Sequence, residues 1–269
     1  MTKRYHKVLA IAGSDPGGGA GIQADLKTIS SLGCYGLTVI TAITAQSTLG
    51  VGTVTPVSAP LVEEQLECLF GDMGADAVKV GMLYSPALID VVTRQLRKYG
   101  AENVVLDPVV ISQSGKRLLM KEALGPLMEQ LMPLATVLTP NLPEASLLLG
   151  RPIPNFEEKR RAARDLASFG SPYVLLKGGH SEDDDFSDLL YMAAENRFVQ
   201  FSGSRIATRN DHGTGCTLSS AIACYLAKGM SVEEAVKKAK DYTARAIEAG
   251  SEYVLGKGRG PLQHFFDFW

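Results

Sequence analysis

Short apolar runs rich in β-branched residues alternate along most of this chain with longer segments of helical spacing, and that alternation restricts the fold more than any other feature. The strand candidates are Val8–Ala12, Leu37–Thr44, Ala77–Val80, Val104–Leu106, Thr136–Leu138 and Tyr173–Leu176. Strands of this composition belong to a mostly parallel sheet covered on both faces. Between them Ile22–Leu32, Leu61–Phe70, Pro86–Tyr99, Leu142–Leu149 and Phe156–Phe169 repeat apolar residues every three or four positions, as amphipathic helices do. The order reads β-α-β-α throughout. The last third differs: Leu189–Ala194 and Arg197–Phe201 read as an antiparallel pair, followed by helices at Thr217–Lys228 and Val232–Ala249. The expected fold is α/β, a central mostly parallel sheet flanked by helices on both faces and finished by a C-terminal antiparallel hairpin. A chain of 269 residues that is 45% hydrophobic buries a large core in one unit, and no repeat or linker divides it, so residues 1–269 are expected to form a single domain.

Twenty-seven basic residues against 29 acidic ones argue against a polyanion as partner and favour a small ligand. The apolar segment Val8 to Ala12 is cut off by glycines far short of membrane-spanning length. The four cysteines, Cys34, Cys68, Cys216 and Cys224, form no Cys-x-x-Cys pair, which speaks against a disulfide framework or zinc site and for a reducing, cytoplasmic setting. Cys34, Cys68 and Cys224 read as buried apolar residues. The acidic run Glu182 to Asp185 reads as a solvated loop.

In sheets of this kind ligands bind in loops leaving the carboxyl ends of the strands. The first such loop, Gly13-Ser14-Asp15-Pro16-Gly17-Gly18-Gly19-Ala20-Gly21, lets backbone approach a flat or anionic ligand and exposes amides at the next helix start. Gly19-x-Gly21-x-x-Ala24 matches a dinucleotide fingerprint in form, but the acidic residue which that reading needs after the second strand is replaced by Thr44-Ala45-Gln46. No Gly-Lys-Ser/Thr phosphate loop follows either. A substrate-side loop is the preferred reading, a plain turn the alternative. Asp25 could serve a ligand or only complement the helix dipole.

Gln46, placed after the second strand, offers a donor and an acceptor in one plane, as an aminopyrimidine edge requires. Met82, in Lys79-Val80-Gly81-Met82, offers an adaptable apolar wall, and Asp107, in Asp107-Pro108-Val109, a carboxylate for metal or phosphate. Packing and turn chemistry explain both stretches equally well. Asn141-Leu142-Pro143-Glu144 is first a helix start with Asn141 as cap, and second a carboxylate and amide that organise Mg²⁺ through water. Lys177-Gly178-Gly179-His180 puts a cation beside open backbone, a clamp for a transferring phosphoryl group or a solvated lysine. The most specific stretch is His212-Gly213-Thr214-Gly215-Cys216-Thr217, whose glycines at a helix start make an anion cradle. The same field is expected to lower the thiol pKa of Cys216.

Taken in order, Ala12 to Asp15, Gly18 to Thr28, Lys79 to Met82, Thr139 to Ala145, Lys177 to His180 and His212 to Thr217 resemble the bacterial hydroxymethylpyrimidine/phosphomethylpyrimidine kinases of the ribokinase-like superfamily over nearly the whole chain. That resemblance implies a ribokinase-like fold, use of ATP and Mg²⁺, a homodimer, and two phosphorylations in thiamine biosynthesis: of the hydroxymethyl group and then of the monophosphate. It places Gly13, Asp25, Gln46, Met82 and Val109 around the pyrimidine. It places Asn141, Glu144, Lys177 and Asp107 at ATP and Mg²⁺, with Glu144 and Asp107 reaching the metal through water. Gly213, Thr214, Gly215 and Cys216, with Lys177, fall at the reacting phosphate. The chain departs from the family pattern at Gly17, where Ser is commoner, and at Asp211, where Thr usually stands and where a negative charge lies close to the phosphates. A pyridoxal or pyridoxine kinase of the same fold is the alternative, a non-catalytic pyrimidine sensor a remote one, and an oxidoreductase a more remote one.

Overall fold

The computed structural model describes residues 3–112, 115–178, 187–203 and 206–269. The motif residues Gly179 and His180 and the acidic run Glu182 to Asp185 lie outside them. The elements in chain order are β1 (Lys7–Ser14), α1 (Gly21–Ser31), β2 (Tyr35–Ser47), β3 (Gly50–Pro56), α2 (Ala59–Asp72), β4 (Ala77–Val80), α3 (Pro86–Lys98) and β5 (Val104–Leu106). A helical turn at Lys121–Ala123 then leads into α4 (Leu124–Pro126) and further turns at Leu127–Leu131 and Met132–Leu134. After them come β6 (Val137–Leu138), α5 (Leu142–Leu149), α6 (Phe156–Ala167), β7 (Tyr173–Leu176), β8 (Asp188–Met192), β9 (Arg197–Phe201), α7 (Thr214–Ala227) and α8 (Val232–Gly250).

All nine strands join one sheet in the order β3-β2-β1-β4-β5-β6-β7-β8-β9. The pairs from β2 through β1, β4, β5 and β6 to β7 are parallel, while β8 and β9 close one edge antiparallel, as expected. Side chains of a strand alternate between faces, so β1 sends Leu9 and Ile11 into one core and Val8, Ala10 and Ala12 into the other. The first core is covered by α2, α3, α5 and α6, through residues such as Leu66, Ile89, Leu148 and Leu166. The second is covered by α1, α7 and α8, through Ile29, Ile222 and Val236.

Two connections break the expected β-α-β-α order. The segment Gly50–Pro56 is a strand, β3, pairing antiparallel with β2 through Gln46–Val51 and Ser47–Gly50 at the other edge. It carries no apolar run because most of it faces solvent. Between β5 and β6 the described residues form short helical pieces from Lys121 to Leu134 in place of one regular helix, with Pro126 and Pro133 among them, since proline interrupts a regular helix. The consequence for function lies in strand order. Connections run outward from β1 to β2 on one side and from β4 onward on the other, so the order reverses between β1 and β4, where an α/β sheet leaves a crevice outside its strand ends.

Candidate functional site

That crevice has an apolar wall. A methyl group built on Gly13, near the end of β1, would lie 3.1 Å from the Met82 sulfur, so backbone and thioether are in direct contact. Met82 packs with Ala42 and Leu118 and is joined by the half-buried Val109 and Tyr84. Gly13, Met82 and Val109, proposed from sequence to surround one ring, thus share one apolar patch, to which the structure adds Ala42 and Leu118. Gln46 borders it from within β2 rather than from the loop after it. Its amide nitrogen is 3.0 Å from His212 Nε2, and its amide oxygen accepts from Thr44 Oγ1 at 3.3 Å.

His212 ties the glycine loop to the anion cradle. Its Nε2 is 2.9 Å from Asp15 Oδ2, and Asp15 also accepts the Gly17 and Ala20 amides, each at 2.9 Å. Burial alone would raise the Asp15 carboxyl, but His212 and these two N–H groups hold it below the ordinary carboxylate value. The two loops meet at Gly213, whose φ of 90° and closeness to the Gly19 carbonyl admit no side chain. Helix α7 begins there, at Thr214 rather than at Thr217, and no side chain caps it. Its first amides therefore face the crevice without a side-chain partner, unlike those of α5 and α8, which have full capping boxes.

Cys216, in the first turn of α7, does not behave as the helix-terminus argument expects. Burial pushes its thiol up to about 11; Lys79 and the Gly21 N–H pull it down, while Asp25 and Asp107 add to the rise. Removal of water from a group among buried carboxylates outweighs the helix field. Asp25 is corrected in a similar way. Its side chain is wholly enclosed in α1 and accepts from Lys79 Nζ at 2.8 and 2.9 Å and from Ser220 Oγ at 2.8 Å. It serves here as counter-ion of a buried lysine and as an anchor for α7, not as an open pocket wall. Burial opposes the charge on Lys79, yet Asp25 beside it holds the ammonium above its ordinary value. The sequence motif alone gives Lys79 no role, although a lysine in an apolar strand calls for a buried partner.

The second cluster lies where β5, β6 and β7 end. Lys177 Nζ donates to Asp107 Oδ1 at 2.8 Å, and Thr139 Oγ1 reaches the same oxygen at 3.2 Å. A methyl on Gly215 would lie 3.3 Å from Lys177 Nζ and 3.5 Å from Asp107 Oδ2, so this cluster abuts the anion cradle. Asn141 bridges to Lys177 along the strand ends, and its side chain caps α5 by accepting the Glu144 N–H at 2.8 Å while Glu144 accepts the Asn141 N–H at 2.9 Å. Burial pushes the Glu144 carboxyl up to about 7, opposed by Lys177 and reinforced by Asp107. Lys177 stays above its ordinary value because Asp107 and Glu144 outweigh its burial. Asp107 and Glu144 are not joined by a third His, Cys, Asp or Glu in a metal-holding group among the described residues. Two carboxylates suit Mg²⁺, which keeps several waters and fills its shell from phosphate oxygens.

The model of the family described as phosphomethylpyrimidine kinase matches residues 15–263. The chain belongs to that family. Among curated members, the hydroxymethylpyrimidine/phosphomethylpyrimidine kinase of Rhizobium meliloti is 49% identical over 97% of both chains. A phosphomethylpyrimidine kinase structure from Clostridium difficile superposes with a TM-score of 0.80 at 44% identity, covering 90% of this chain and 99% of that one. The pyridoxal kinase of Staphylococcus aureus in complex with AMP-PCP and pyridoxal reaches a TM-score of 0.89 at 35% identity, covering 99% and 96%. The ribokinase-like fold is therefore shared with both phosphomethylpyrimidine and pyridoxal kinases. Among cysteines outside the site, Cys34 and Cys224 are buried as expected, whereas Cys68 is exposed on α2. No helix among the described residues is long and apolar enough to cross a membrane.

Proposed function

We propose that this chain transfers the γ-phosphoryl group of ATP to the hydroxymethyl group of 4-amino-5-hydroxymethyl-2-methylpyrimidine and then to the resulting monophosphate, in thiamine biosynthesis. The observation that supports this most is the joining of three parts: an apolar slot with Gln46 at its rim, an uncapped helix start carrying Cys216, and Lys177 held by Asp107 beside Gly215. In this reading Gly13, Met82 and Val109 sandwich the ring, and Gln46 exchanges paired hydrogen bonds with a ring nitrogen and the amino group. The α7 amides and Lys177 carry the charge of the transferring phosphoryl group. Asp107 and Glu144 would hold Mg²⁺ through water, and the bound ion would supply charge neutralisation at the nucleotide's phosphates. Cys216, with its raised pKa, stays protonated at neutral pH and acts by orienting the acceptor hydroxyl. A strong base is not required, because the nucleophile loses its proton late in a loose transition state.

Residues 1–269 act as one kinase domain, working in the cytoplasm as a homodimer. The exposed Ile43 and Leu49, 60% and 72% accessible on the β2–β3 hairpin, support an apolar contact there. ADP release with a panel of hydroxymethylpyrimidine, its monophosphate, pyridoxal and pyridoxine tests the acceptor. Preference for pyridoxal would move the assignment to the pyridoxal kinases of the same fold. Lys177→Ala separates the proposed roles: it should lower kcat far more than it raises the ATP KM, since a cation aimed at the moving phosphoryl group acts chiefly in the transition state.

A further inference from the structure

The segment after α8 returns across the mouth of the site and joins two loops that the transfer needs. The Gly258 N–H donates to Thr48 Oγ1 at 3.2 Å and the Arg259 N–H to the Thr48 carbonyl at 2.9 Å, which ties the segment to the β2–β3 turn. The Gly260 N–H donates to the Arg209 carbonyl at 3.1 Å and the Gly260 carbonyl accepts the His212 N–H at 3.0 Å, which ties it to the arm of the anion cradle. Between these ties the Arg259 guanidinium takes both oxygens of Asp211, Nε donating to Oδ1 at 2.8 Å and Nη2 to Oδ2.

Asp211 is the residue whose charge sits awkwardly beside a phosphate site. It stands two residues before Gly213, and two residues span at most about 7 Å, so its carboxylate lies within roughly one Debye length of the cradle amides. Its backbone is fixed beside the cradle, because its carbonyl accepts both the Thr214 N–H at 3.3 Å and the Thr214 hydroxyl at 2.7 Å at the start of α7. The side chains of Arg259 and Asp211 are 51% and 29% exposed, and pairs of that exposure contribute little to stability. The pair's larger effect is on the local field.

We propose that Arg259 is a positioning residue for the nucleotide: by holding both oxygens of Asp211 it cancels a negative charge at the edge of the anion cradle, so that the phosphates of ATP enter without repulsion. This rests on the kinase reading above. The experiment compares wild type, Arg259→Gln, Asp211→Asn and the double variant in the full chain, with ATP–Mg²⁺ affinity measured by calorimetry and kcat and KM on hydroxymethylpyrimidine. Arg259→Gln should weaken ATP–Mg²⁺ binding on the order of 5–10-fold at low ionic strength, and less at high salt, with kcat kept within about twofold. The double variant should bind ATP–Mg²⁺ within about twofold of wild type, because its local net charge is again zero. A double variant that binds as weakly as Arg259→Gln, or a loss insensitive to salt, would overturn the proposal and leave the segment a packing element. If wild type binds ATP but phosphorylates no pyrimidine, the acceptor assignment fails while the affinity comparison still decides the role of Arg259.

Discussion

Glu144→Gln should make this protein more stable at alkaline pH while impairing its use of Mg²⁺. Glu144 is buried in the first turn of α5, and its carboxyl titrates at about 7 instead of the ordinary 4.5. Its folded-state pKa is raised, so its contribution favours the folded chain fully below about 4.5 and is lost as pH rises through 7. A difference of about 2.5 pH units at 1.36 kcal/mol each gives roughly 3 kcal/mol between the two limits, the cost of ionising a buried group. Glutamine keeps the acceptor that caps the Asn141 N–H but cannot ionise. Urea unfolding without Mg²⁺ at pH 5 and pH 8 should therefore show wild type losing about 2.5 kcal/mol more than Glu144→Gln does, somewhat less than the full span because pH 5 lies above the unfolded value. Added Mg²⁺ should recover part of the wild-type loss at pH 8 and none in the variant, because a cation bound only by the folded state offsets the ionisation cost. Parallel stability curves for the two proteins would refute the reasoning, since Glu144 would then not ionise within this window.

Cys216→Ser should retain measurable turnover and Cys216→Ala lose on the order of 10²-fold, the cost of a misplaced acceptor hydroxyl, and the thiol, its pKa being raised, should react with iodoacetamide more slowly at pH 7 than an unperturbed cysteine. Full activity in Cys216→Ala at unchanged stability would reduce the residue to packing. Lys79→Met should cost about 3–5 kcal/mol in chemical denaturation by leaving Asp25 charged and unpaired, with much of that recovered by adding Asp25→Leu; a loss under 1 kcal/mol would show that the pair is not buried as described. Gln46→Met should weaken use of hydroxymethylpyrimidine by roughly 1–3 kcal/mol in kcat/KM and spare pyridoxal, whereas equal losses on both would remove Gln46 from the ring edge.

Much of the fold is legible in the sequence because buried parallel strands and amphipathic helices follow from hydrophobic periodicity. Ala77–Val80, Val104–Leu106, Tyr173–Leu176, Leu142–Leu149 and Arg197–Phe201 coincide with observed elements. Strand β3 is not legible, since a half-exposed edge strand of Gly, Val and Thr shows no apolar run. At the site, the strand-end rule singles out the stretches carrying Gly13, Met82, Asp107, Glu144 and Lys177, while their grouping, with Val109, around a ring and a nucleotide comes from the family resemblance. What it misses are contacts across long sequence separations. The enclosure of Asp25 depends on Lys79 and Ser220, and the compensation of Asp211 depends on Arg259, none of which is near its partner in the chain. Cys216 differs for a related reason: the helix field is local and readable, whereas the loss of solvation that raises the thiol of this half-buried residue is a property of the whole assembly.

The measurement that tests the central claim most directly follows hydroxymethylpyrimidine through phosphorus NMR with excess ATP–Mg²⁺ and catalytic amounts of this protein. The monophosphate resonance should appear first and give way to the diphosphate, with one ADP formed at each step, and pyridoxal in a parallel tube should be consumed more slowly. Rapid conversion of pyridoxal with no phosphorylated pyrimidine, or ATP hydrolysis without any phosphorylated acceptor, would contradict the account.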